Sequence, residues 1–163
     1  MRRLPWILAL LPFSALAADA SPYEPLAFLA GHCWKGTFAD RPDTDEHCFE
    51  KVYGEHFVRD RHTVHGDGHA DYVGETVYFW NSAAKRLEYL YIENGGGLSR
   101  GAVAVEKDAL VFPDAEYIDR GKVSTYRARW TREGDDAYVA TTEFKGKDGG
   151  WAPGWSMRMT RSR

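Results

Sequence analysis

Residues that would announce a chemistry are scarce in this chain. Its 163 residues include only 2 cysteines, at positions 33 and 48, with no C-x-x-C spacing that would suggest a dithiol redox pair. Ser82, Ser99, Ser124 and Ser156 all lack a G-x-S-x-G context, and without it nothing points to a nucleophilic serine. No histidine follows His69, and no C-x-x-C-H stands ready to attach haem. Positive charge is not in surplus: the net charge is −3, with no basic stripe, which argues against nucleic acid as a partner. The apolar run from Leu4 to Phe13 is about ten residues, short of the ~20 that a membrane-spanning helix needs.

That short run has another meaning. Arg2 and Arg3 precede it and Ala15-Leu16-Ala17 follows, which is the layout of a secretory signal peptide. The expected division is a signal peptide over 1–17, a short lead over 18–25 and one domain over 26–163. Cleavage after Ala20 is the alternative. The protein is then exported, to a periplasm or to the medium, and in an oxidising compartment Cys33 and Cys48 have only each other as partners. They sit on either side of a reversal centred near Arg41-Pro42, close to opposite positions on two antiparallel strands. A bridge there would add roughly 3 kcal/mol in the chain-entropy account.

Aromatic residues make up 14% of the chain and glycines number 16, a composition suited to pleated sheets joined by tight turns. After an apolar plug and a first strand around Trp34, strand-like runs recur every 10 to 15 residues. They are His47–Tyr53, His56–His65, Tyr72–Trp80, Arg86–Ile92, Leu98–Val105, Ala109–Phe112, Val123–Thr131, Ala137–Phe144 and Trp151–Thr160. Turn signals separate them, among them Gly66-Asp67-Gly68, Pro113-Asp114 and Lys147-Asp148-Gly149-Gly150. The fold class expected is all-β: a closed antiparallel up-and-down barrel of about ten strands, with a short helix near Pro25–Leu29 capping one end. The Gly95-Gly96-Gly97 connection reads as a flexible link at the rim.

A barrel of that size leaves room inside for a small guest. Alternation puts Tyr126 and Trp130 on one face and Arg127 and Arg129 on the other, and the aromatic faces are expected inside, with Tyr89 and Tyr138. Along 57–65, Asp60 and His62 share one face and Arg59 and Arg61 the other. If the arginines face inward, Arg59 or Arg61 meets a ligand carboxylate, completed by Tyr89 or Tyr126. If not, Asp60 and Glu75 neutralise the arginines in a structural network.

Phe28-Leu29-Ala30-Gly31 followed by Trp34-Lys35-Gly36 resembles the leucine-x-glycine-x-tryptophan-x-glycine opening of lipocalin-like (calycin) barrels. The nearest forms are small bacterial families related to nitrobindin and the fatty-acid-binding proteins. This chain departs from the pattern in having two residues, His32 and Cys33, between Gly31 and Trp34. The resemblance implies that a late basic side chain, Arg158 or Arg161, packs over Trp34 and shuts that end of the barrel. It also implies a small hydrophobic or amphipathic ligand in the interior. Haem in nitrobindin-like barrels is held by a late histidine, so haem does not carry over and no cofactor is expected.

Two further readings are available. His65 and His69 flank the Gly66-Asp67-Gly68 turn at a spacing that would allow a shared metal ion, though polar residues at a hairpin end account for the same letters. Internal His62, Asp60 and Glu75 would suit proton transfer on a bound molecule, which makes an enzyme the alternative to a carrier. The sequence is silent between monomer and dimer.

Overall fold

Alternate side chains along each strand of this protein turn to opposite sides, and ten strands wrap their inward faces around one axis. The structure, a computed structural model, describes residues 21–163; the signal-peptide reading over 1–17 lies outside them. The strands are β1 (Cys33–Thr37), β2 (Thr44–Val52), β3 (Phe57–His65), β4 (Tyr72–Asn81) and β5 (Arg86–Glu93), then β6 (Leu98–Glu106), β7 (Ala109–Asp119), β8 (Lys122–Arg132), β9 (Ala137–Lys145) and β10 (Trp151–Arg161). Each pairs antiparallel with its sequence neighbours, and β10 returns to β1 through Trp34↔Arg161 and Lys35↔Thr160, closing the barrel.

Closure requires β1 and β10 to approach tightly, and Gly36 makes this possible. A Cβ there would sit 2.7 Å from the Arg158 carbonyl oxygen and 2.6 Å from Met159 Sδ. On the other side of β1, Cys33 stands directly opposite Cys48, with Cα atoms 4.0 Å apart, and the two form the disulfide.

The segment before β1 is not a helix. Glu24–Leu26 is a single 3-10 turn, built on Leu26 N–H donating to Tyr23 O and Ala27 N–H to Glu24 O. Pro25 suits a first turn, but Gly31 at φ 85° reverses the chain a few residues later, too soon for helical propagation. What the segment supplies is a plug: Leu26 and Leu29 are fully buried against Trp34 and Tyr138. Tyr23 pins it by donating to His56 O and accepting from Trp80 N–H.

Pro113-Asp114 is a bulge within β7 rather than the turn its residues suggest. Pairing with β8 slips between Phe112 and Ala115 and then resumes to Asp119. Pro153 marks a similar slip in β10. Proline has no N–H to give a ladder, so a bulge accommodates it without ending the strand.

Candidate functional site

The plugged end and the other end of the barrel are built differently. At the plug, Trp34, Tyr138 and Phe28 pack edge to face, with the Trp34 and Tyr138 centroids 5.2 Å apart. The Arg161 guanidinium lies 5.2 Å from the Trp34 ring centroid, while Arg158 pairs outside with Glu133 at 2.7 Å. Above this floor lies a cavity of about 540 Å³, reaching toward the loops that join β1 to β2 and β3 to β4.

Aromatic side chains supply most of its wall, including Phe112, Trp130, Phe144 and Trp155. Of the side chains expected inside, Tyr89, Tyr126 and Trp130 line the cavity, and Tyr138 is buried beneath it in the floor. Tyr89 and Tyr126 share a hydrogen bond of 2.8 Å, and Ser99 Oγ adds another to Tyr126 at 3.0 Å. Burial pushes the Tyr89 hydroxyl well above its ordinary value, so it stays protonated.

The arginine clamp on a ligand carboxylate does not form. On β3 the buried positions are Val58, Asp60, His62 and Val64, which turns Arg59 and Arg61 outward. Arg59 binds Glu50 at 2.6 Å on the outer surface, and Arg61 stands 3.8 Å from the same carboxylate. Glu75 sits on the outer face of β4 beside Arg61 in the register and does not line the cavity. Burying a guanidinium would have required a buried partner, whereas Glu50 meets these arginines in water. The acid-base set of His62, Asp60 and Glu75 therefore loses its glutamate.

What the barrel encloses instead is a chain of acidic, imidazole and phenol groups along β2 to β5. His47 Nδ1 donates to Asp60 Oδ2 at 2.8 Å and His47 Nε2 to Asp45 Oδ2 at 3.1 Å. Carboxylates only accept, so both ring nitrogens carry protons and His47 is an imidazolium. Burial by itself would lower its pKa, but Asp60 and Asp45 hold it well above the usual histidine value. Burial would likewise raise Asp45; the charge and hydrogen bond of His47, with a further bond from His62, hold it far below the usual carboxylate range. His62 Nδ1 lies 3.2 Å from Asp45 Oδ1, and His62 Nε2 lies 3.1 Å from the Tyr91 hydroxyl. Tyr91 hydrogen-bonds Tyr72 in turn. The two imidazoles stack with centroids 4.7 Å apart, as expected of direct neighbours in the β2–β3 register.

Gly74 makes room for this arrangement. A Cβ there would collide with His62 Nε2 and lie 2.8 Å from the Tyr91 ring. The network is nearly closed upon itself. Asp60 Oδ1, almost wholly buried, has no partner, and neither has Thr142 Oγ1 in the opposite wall.

Neither Asp45 nor His47 belongs to a motif in the sequence, and β2 begins at Thr44, before the strand-like run that opens at His47. A signal was present: Cys33 opposite Cys48 sets Trp34 opposite His47, so a Trp34 that points inward takes His47 with it. His65 and His69 find separate carboxylates near the rim, His65 with Asp71 at 2.9 Å and His69 with Asp43 at 3.7 Å. The glycine connection at the rim is tied down rather than loose, because Glu93 accepts the Gly95 and Gly97 N–H groups and the Tyr117 hydroxyl.

The chain is thus a closed ten-stranded antiparallel barrel holding an aromatic cavity with an acidic, histidine-bearing wall. Among solved structures it is similar to the crystal structure of Rv2717c from M. tuberculosis, at a TM-score of 0.58 and 12% identity, over 88% of this chain and 99% of that one. At that identity the likeness is one of fold. No protein-family model and no curated protein matches the chain.

Proposed function

We propose that this protein is an exported lipocalin-like barrel that carries a small apolar or amphipathic molecule in its interior. The observation behind the reading is the cavity itself: about 540 Å³, within the range of small-molecule sites and walled chiefly by aromatic rings. Asp45 and Asp60 bring two carboxylates to this wall and leave Asp60 Oδ1 without a donor, so the polar end of the guest is a hydrogen-bond donor or a cation rather than a carboxylate. We favour a carrier over a catalyst because both ring nitrogens of His47 and of His62 are already engaged, leaving no idle imidazole facing the guest. The disulfide supports export, as does the leader-like stretch over 1–17.

Native mass spectrometry of protein purified from its own cells tests both parts. The expected result is a polypeptide beginning at Ala18 with a retained small molecule that is shed on activation. A chain still carrying Met1–Ala17, or one that is ligand-free in every preparation and takes up no neutral aromatic amine, would defeat the proposal.

A further inference from the structure

Asp45, His47 and His62 offer one ligand atom each, all within 4.8 Å of one another. Tetrahedral zinc, with bonds of about 2.0–2.2 Å, sets its ligand atoms about 3.3–3.6 Å apart. Asp45 Oδ2 is 3.1 Å from His47 Nε2, and the Asp45 oxygens are 3.2 and 3.4 Å from His62 Nδ1. These two edges need only tenths of an ångström of adjustment, whereas the third joins two imidazoles stacked 4.7 Å apart and 23° from parallel, which must turn to aim their lone pairs at one ion.

The outer support of such a site is present too. Histidine ligands of metals regularly donate their second N–H to a carboxylate or another oxygen, which fixes the ring. With Nε2 on a cation, His47 still donates Nδ1–H to Asp60 at 2.8 Å. With Nδ1 on the cation, His62 donates Nε2–H to Tyr91 at 3.1 Å, the tyrosine now accepting. Asp60 is 1% exposed, lines the same cavity and leaves Oδ1 unpartnered, so the wall holds more acceptor capacity than the protein's own donors fill. An unused buried carboxylate oxygen is costly unless something positive arrives.

We infer that Asp45, His47 and His62 form a binding site for a divalent transition-metal cation of the zinc type, with a fourth coordination position facing the cavity. The cation replaces the protons that Asp45 shares with the two imidazoles, and Asp60 and Tyr91 accept from the outer nitrogens of the turned rings. Two nitrogens and one carboxylate favour Zn²⁺ or Co²⁺ over Mg²⁺ and Ca²⁺, which prefer all-oxygen cages. The site stands apart from the carrier reading, since a metal can be bound whether or not an organic guest is.

The test is titration of tag-free mature protein with Zn²⁺ and with Co²⁺. Expected are one cation per chain and an intense tetrahedral Co²⁺ spectrum, with Mg²⁺ giving no signal. His62→Gln and His47→Gln should each weaken binding at least 100-fold, and Asp60→Asn, acting through His47, about 10–100-fold with the tetrahedral spectrum kept. His65→Gln at the rim should change nothing. Should the buried variants fail to fold, imidazole nitrogen shifts in the wild type decide: Zn²⁺ must move His47 Nε2 and His62 Nδ1. No uptake, uptake that survives His62→Gln, or shifts confined to rim histidines would overturn the site.

Discussion

Neighbours can reset a single side chain, and Glu88 on β5 is a clear case. It lies beneath the outer surface, where Arg100 and Arg86 each bind it at 2.9 Å and Asn81 donates a third bond. These charge-assisted bonds outweigh burial and bring its pKa from 4.5 down to about 2. A carboxylate depressed in the folded state adds stability that is complete above its unfolded pKa and fades as the pH falls through the folded one. Glu88→Gln should therefore be less stable than wild type at neutral pH, and the gap should narrow between pH 4.5 and about 2. Urea unfolding at a series of pH values reads this directly, and a gap that stays constant through that window would contradict it. The residue scale was also where the sequence said least. Asp60 and His62 share a strand face in the letters alone, but the outward-turned Arg59 and Arg61 meet Glu50 of the preceding strand, β2. Pairings of this kind are set by register, which composition does not carry.

Among the elements, β1 and β2 bear the most consequence, because β1 completes the barrel with only five residues. Its pairing with β10 is limited to a few positions, so the disulfide to β2 is its strongest tether. Replacing both Cys33 and Cys48 with serine should cost about 3 kcal/mol by the loop-entropy account, read as a lower urea midpoint with an unchanged slope. Native protein should meanwhile show no thiol reactive toward a titrant. Loss of well under 1 kcal/mol would mean that Gly36 and the Trp34–Arg161 stack hold the seam without help. The strands themselves were legible because alternation and turn residues agree along the chain. Two features escaped. Pro113-Asp114 has the residues of a turn yet is a bulge, since pairing on both sides of it with β8 outweighs local preference. The plug before β1 has helix-compatible residues but is interrupted by Gly31, and its place is decided by what Leu26 and Leu29 bury.

For the whole molecule, the question is whether the interior is a vessel or merely a gap in packing. A gap left by imperfect packing is unfavourable, and filling it should stabilise the barrel without affecting any partner. A vessel would lose its guest when filled. Ala128 on β8 lines the cavity between Phe112 on β7 and Thr142 on β9, its direct neighbours in the register. Ala128→Trp projects an indole into the 540 Å³ space from a wall already built of aromatics. N-phenyl-1-naphthylamine is a suitable probe, being apolar and fluorescent in dry surroundings, with one N–H to offer the acidic wall. The wild type should bind it with bright emission, and Ala128→Trp should bind at least tenfold more weakly while melting no lower. Equal binding by a folded Ala128→Trp would place the probe on the outer surface and leave the interior without a guest. Weaker binding with a lower melting temperature would mean the indole is overpacked, and Ala128→Leu would then have to reproduce the affinity loss at wild-type stability for the vessel to stand.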